Sequence, residues 1–328
     1  MDDQTLLHRA RRSFSGTGLA LVLILIVTLA VQFGIAYGLP LLLGPSHWLF
    51  TSSWGFWIRA FLPMYAFGIP AGCLVFSALP SYRGYRNAMG AKEFFLFLLM
   101  CFPLMYAGNL IGTLLSFLLS GGQAQNQLIQ LVADTNPLRV VVIVFLAPLL
   151  EELIFRKMIL DHTRQYGEKN AVFLSALCFG LFHNNLFQFF YAFAIGLILG
   201  YVYLRYNRLR YSVLLHMILN FMGAVIAPWI LSHIQWILDA EGDTAQLLQN
   251  LTPEHIPGLL LYLAYMMLLL GLTGGGIAAL IVRRRRFVFL KAPEELPPKS
   301  RLRVTYGNVG MILFILCCLA LIIKALLP

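Results

Sequence analysis

Two adjacent carboxylates, Glu151 and Glu152, interrupt the apolar run VVVIVFLAPLLEELIFRKMIL. An ionised side chain at the centre of a bilayer costs roughly 2.5–3.5 kcal/mol or more, so an adjacent pair there points to function. Two further apolar stretches carry His183, in FGLFH, and His216 with Asn220, in HMILN. Carboxylate and imidazole groups at one depth can move protons or hold a metal. Peptide hydrolysis needs a base for water, an acid for the leaving amine and donors toward the developing oxyanion. These residue types supply all three without a Ser or Cys nucleophile. Alternatively, Glu151, His183 and His216 are three ligands of a catalytic zinc, with the fourth position left for water. The usual HExxH zinc-protease signature is absent.

The spacing divides the labour. Glu152 and Arg156 are i,i+4 with the carboxylate on the N-terminal side, the favourable order for an ion pair. Glu151 is turned about 100° from Glu152 around a helix axis, so both cannot face Arg156 equally. Glu152 and Arg156 are therefore expected to form a structural pair, leaving Glu151 free for chemistry. Phe179 and His183 share one helix face, as do His216 and Asn220. Phe179 is expected to pack beside the site. His8, His47, His162, His233 and His255 show no such spacing.

The elements that must position these groups cross a membrane. The 328-residue chain is 59% hydrophobic and only 12% charged, with mean hydropathy +0.78. Soluble domains carry about 25% charged residues. The expected architecture is all-α: a polytopic membrane helical bundle of about eight or nine transmembrane segments. Spans are read at 17–44, 56–80, 93–118, 138–160, 171–183, 186–204, 211–232, 256–282 and 306–327, against the roughly 20 residues a crossing needs. Segment 171–183 is short, and reads as a broken or tilted element ending at Asn184 and Asn185. Three regions follow: 1–137 with the N-terminal spans and an outer loop, 138–232 as the core, and 233–328 with an outer loop, two further spans and a basic linker at 287–305.

Charge sets the expected orientation. Of 24 basic residues, 21 fall at the N-terminus and in 83–92, 156–169, 205–210 and 283–303; loops 45–55, 119–137 and 233–255 contain none. By the positive-inside rule the N-terminus is cytoplasmic. The net charge of +10 then reflects topology and anionic headgroups rather than nucleic acid. The first apolar run is too long for a cleaved leader and reads as a signal anchor. With a rise of ~1.5 Å per residue, Glu151, His183, His216 and Asn220 come to lie roughly 8–18 Å from the cytoplasmic ends of three spans of alternating direction.

EELIFR (Glu151–Arg156), FGLFH (Phe179–His183) and HMILN (His216–Asn220) fit the patterns EExxxR, FxxxH and HxxxN. In this order, on membrane helices, they resemble the CAAX prenyl protease and bacteriocin-processing family of intramembrane proteases, over about residues 138–232. No motif position departs from the pattern. The resemblance implies an intramembrane endopeptidase in which Glu151 and His183 activate water while His216 and Asn220 stabilise the oxyanion. It favours the metal-free version, with no cofactor, over zinc. It implies a peptide or protein substrate reached from the membrane or the cytoplasm, and a plasma-membrane location if the source is bacterial. The competing readings are a non-proteolytic immunity or scaffold protein and a transporter; no inverted repeat supports transport. Substrate identity and oligomeric state are not readable from the sequence.

Overall fold

The computed structural model describes residues 3–240, 247 and 251–327, and its elements are helices, with no strand among the described residues. Helix α1 spans Asp3–Leu43, α2 Ser53–Ser77 and α3 Ala91–Ser120. A short α4, Gln127–Ala133, lies in the outer loop and carries Leu128, Ile129 and Val132. Helix α5 runs over 138–163 and α6 over Glu168–Phe182. Then come α7 (Leu186–Tyr206), α8 (Leu209–Ser232) and α9 (Pro253–Arg286). The chain closes with α10 (Pro298–Tyr306) and α11 (Val309–Leu326). In the acidic outer loop, Glu241 and Asp243 lie outside the described residues.

Seven of these helices are long and apolar enough to cross a membrane: α1, α2, α3, α7, α8, α9 and α11. The two sequence-read spans outside that set are α5 and α6, which bear Glu151, Glu152 and the Phe179–His183 motif. Helix α5 is long enough but carries Arg139, Glu151, Glu152, Arg156 and Lys157. Helix α6 has only 15 residues. The protein is an integral membrane protein by this set of helices.

Proline shapes the bundle. The described residues contain five π-helical stretches, at Gly34–Gly38, Pro63–Gly68, Val141–Leu146, Leu153–Met158 and Met222–Ile226. Four end two residues before a proline: Pro40, Pro70, Pro148 and Pro228. A proline has no N–H and its ring collides with the carbonyl four residues back, so the widened turn absorbs it within a continuous helix. The exception is Leu153–Met158, which begins right after the two glutamates and has no proline to accommodate.

The core forms two apolar clusters. One joins α1, α2, α5, α6 and α11 through residues such as Phe14, Ile24, Phe155 and Phe314. The other joins α3, α7, α8 and α9 through Met100, Phe102, Leu199 and Leu215. Close backbone approach links α6 to α7, where a Cβ at Gly196 would press on Ala176 and one at Gly200 on Val172. On α9 the close approach to α3 falls at Gly276 rather than at Gly271 or Gly275. Gly271 meets open space, and Gly276 instead abuts the Leu99 carbonyl and Pro103 of α3.

Segment 287–305, expected as a linker, is docked beneath the core. Glu294 N–H donates to the Gln165 carbonyl (3.0 Å) and Leu296 N–H to that of Tyr166 (3.1 Å). Asn170 Nδ2 donates to Thr305 Oγ1 at 2.7 Å, with both residues buried. All five cysteines are free.

Candidate active site

The two glutamates occupy one α-helical turn, Ala147–Glu152, between two π-helical stretches of α5. Single π-turns recur at functional sites because they shift side-chain direction without ending the helix. The second stretch loosens the backbone around Phe155, and its carbonyl accepts a hydrogen bond from Ser175 Oγ of α6 at 2.5 Å. Ser175 also accepts from Arg156 Nη1 at 3.0 Å. One hydroxyl thus ties the π-turn and the motif arginine to α6.

Glu152 and Arg156 meet as the spacing predicts. Arg156 Nε donates to Glu152 Oε2 at 3.1 Å, with both side chains fully buried. The guanidinium also lies 4.6 Å from the centre of the Phe179 ring, a cation–π contact in a desolvated setting. Burial of this pair asks that its remaining donors and acceptors be met, although Arg156 Nη2 is buried without a hydrogen-bond partner. Glu152 Oε1 meets His216 Nδ1 at 3.1 Å. A glutamate paired with arginine accepts, so His216 carries its proton on Nδ1 and Glu152 fixes the tautomer.

That bond turns His216 Nε2 toward Glu151, whose Oε2 lies 3.6 Å away. The Glu151 side chain is 21% exposed, whereas Glu152 is sealed. His183 caps the end of α6, and its Nδ1 lies 2.8 Å from the Phe179 carbonyl. A carbonyl only accepts, so Nδ1 is the protonated nitrogen and Nε2 is left with a free lone pair. Glu151 lies within electrostatic range of the His183 ring. Phe179 makes edge-on contacts with both imidazoles, at 5.0 Å to His183 and 5.6 Å to His216. Asn220 Nδ2 donates to the Ile143 carbonyl in the first π-stretch of α5 at 2.8 Å, which leaves its second N–H available.

The structure therefore joins Glu151, Glu152, Arg156 and His216 in one connected chain, with Phe179 wedged against three of the motif side chains. His183 approaches from α6. Asn220 is pinned to the α5 backbone rather than to the other site side chains. Three contributors lie outside the motifs: Ser175, Tyr65 and Tyr191. The Tyr65 hydroxyl on α2 is buried without a hydrogen-bond partner and within electrostatic range of Glu151. The Tyr191 hydroxyl accepts from Gln188 Nε2 at 2.9 Å and senses the same carboxylate. An isolated Ser or Tyr in an apolar helix carries no spacing signal, so the sequence could not single them out.

Among the described residues no three His, Cys, Asp or Glu side chains converge as a metal site would require. Both nitrogens of His216 are already directed at carboxylates, and Nδ1 of His183 at a carbonyl.

Neither a curated protein nor a solved structure shows a significant match to the chain. Residues 133–222, the segment that carries every motif side chain, match the family model described as type II CAAX prenyl endopeptidase Rce1-like.

Proposed function

We propose that the protein is an intramembrane endopeptidase that cleaves by glutamate- and histidine-activated water. The observation that carries this reading is the chain Arg156–Glu152–His216–Glu151, with sealed members at one end and a solvent-reachable carboxylate at the other. A water held between Glu151 and His183 Nε2 gives up a proton to Glu151 as its oxygen attacks the peptide carbonyl carbon. The carbonyl π electrons move to oxygen. The second N–H of Asn220 and His216, with a proton on Nε2, are the donors toward that oxyanion, and Glu152 at Nδ1 holds the ring in place. On collapse the C–N bond breaks and the proton held by Glu151 passes to the leaving amine. The products are one carboxylic acid and one amine, which ionise to carboxylate and ammonium. Glu152 acts through His216, as an orienting carboxylate acts through a catalytic histidine.

The test is turnover of a fluorogenic peptide by purified protein in lipid nanodiscs. Wild-type cleavage lost in Glu151→Gln and retained after exhaustive chelation is the expected result. Removing one oxyanion donor, as in His216→Ala, typically costs about 10²–10³ in rate. Activity abolished by chelation and restored by zinc would replace the metal-free mechanism with one in which Glu151, His183 and His216 hold the ion.

A further inference from the structure

A cavity of about 220 Å³ opens beside His183, between the outer loop carrying α4, the α6–α7 turn and the C-terminal turn of α11. It lies at the end of the bundle reached by the C-terminus of α3, away from Lys92 and the basic loops. Its polar lining is almost entirely side-chain amides: Gln125, Gln127, Asn184, Asn185 and Gln188. Among the described residues no lining side chain carries a fixed charge, and His183 is the only titratable one.

Part of this lining is a rigid frame. Asn185 Nδ2 donates to the His183 carbonyl and to Gln188 Oε1, both at 2.8 Å, while its Oδ1 accepts from Gln188 N–H at 2.9 Å. Asn184 is different. It sits in the left-handed region at φ 56°, and its Nδ2 donates to the Phe182 carbonyl at 2.9 Å. Its Oδ1 is buried with no partner. A buried acceptor without a donor costs roughly 1–3 kcal/mol, so a ligand that brings an N–H to it is favoured. Gln125 and Gln127, exposed at the opposite rim, offer N–H groups to carbonyls.

A neutral acceptor beside His183 and amide N–H groups at the opposite rim match one chemistry well: the backbone of an extended peptide. A free C-terminal carboxylate would find no cation on this lining. Resting on the endopeptidase reading above, we infer that the cavity is the binding site for an internal, uncharged stretch of substrate peptide, held through its backbone with Asn184 Oδ1 accepting a peptide N–H next to His183.

The test uses the full chain in nanodiscs with Glu151→Gln in place, so that bound peptide is not consumed. The probe is an N-acetylated, C-amidated, uncharged decapeptide carrying a fluorophore, and binding is read by anisotropy. Asn184→Gly keeps the left-handed backbone and removes the orphan acceptor; about ten-fold weaker binding is expected, with thermal stability retained. Gln127→Ala, at an exposed position, should weaken binding about three-fold. The same peptide with a free carboxylate should bind no more tightly. Undiminished binding in both variants, preference for the free acid, or no binding up to about 1 mM would each overturn the inference. If wild type cuts the probe while Asn184→Gly leaves KM unchanged, the cavity assignment fails and the peptidase reading stands. If Asn184-dependent binding is seen but wild type cuts nothing, the cavity stands and the peptidase reading fails.

Discussion

Helices α7 and α9 have nearly the same apolar character, yet half of the hydrophobic window of α7 is buried inside the protein and only 6% of that of α9. Helix α9 rests on α3 through Gly276 and leaves Leu260, Leu263, Met267 and Leu270 facing outward. Helix α7 lies between α3 and α6 and helps to enclose the site. The site-bearing helices α5 and α6 go further and do not look like spans, one because of its charges and the other because of its length. Hydropathy therefore identifies best the helices that face lipid. Helices shielded by them are free to carry charge, because protein rather than hydrocarbon surrounds their polar groups. The two weakest spans in this sequence carry Glu151 and His183, while His216 and Asn220 reach them from α8, which is apolar enough to cross.

The sharpest way to break this contrast is at Glu151 and His183. Glu151→Ala or His183→Ala should lower peptide cleavage by about 10²–10⁴, the usual worth of a positioned acid or base, with little change in thermal stability. Equivalent truncations on the lipid face of α9, such as Met267→Ala, should leave turnover within two-fold, roughly the scatter of surface changes. Unchanged turnover in Glu151→Ala would remove the distinction between chemical and lipid-facing helices.

Next in size is the sealed pair. Either Glu152→Ala or Arg156→Ala should cost about 3–5 kcal/mol, because one charge is left unpaired where water cannot reach it. The double substitution should recover part of that loss. Glu152 also holds His216, so Glu152→Gln should lower turnover beyond its effect on stability. A double-mutant cycle in detergent that shows no coupling would separate the two residues.

A smaller effect tests how the outer helix is attached. Gly276→Leu should loosen α9 from α3 by about 1–3 kcal/mol, the common range for overpacking a tight contact. Gly271→Leu, facing open space, should be neutral. Thermal melts of the two variants that cannot be told apart would show that α9 is held by something other than this contact.

Much of this arrangement could be read in advance because it follows from period and charge. Glu152 and Arg156 pair at i,i+4 as expected, and α6 ends at the Asn184–Asn185 turn. The hydrogen bond from His216 to Glu152 was hidden because it joins residues 64 positions apart, on α8 and α5. The π-turn after the glutamates has no proline to announce it; Ser175 supports it from another helix. The docking of 287–305 escaped for a related reason. Its prolines suggest a linker, but Gln165 and Tyr166 present carbonyls that its backbone N–H groups can meet.

The smallest expected effect lies at the outer rim, where a carboxylate meets solvent instead of being sealed like Glu152. Asp134, in the loop between α4 and α5, accepts Asn136 N–H at 2.9 Å, Trp57 Nε1 at 2.8 Å and Ser53 Oγ at 3.0 Å. The backbone N–H of Asn136 does most to hold its carboxyl below the usual aspartate range; burial opposes it, and Trp57, Ser53 and nearby Arg139 add to the lowering. A depressed carboxyl adds stability at pH values above its unfolded pKa of about 3.9, and that contribution fades as pH falls through the lower folded value. Trp57 is buried at the contact, so acid titration should shift tryptophan emission with a midpoint below about 3.9. Asp134→Asn keeps the shape but removes the charge, and should abolish this transition while leaving neutral-pH turnover intact. The same transition in Asp134→Asn would assign it to another group and leave the rim clamp without a titrating member.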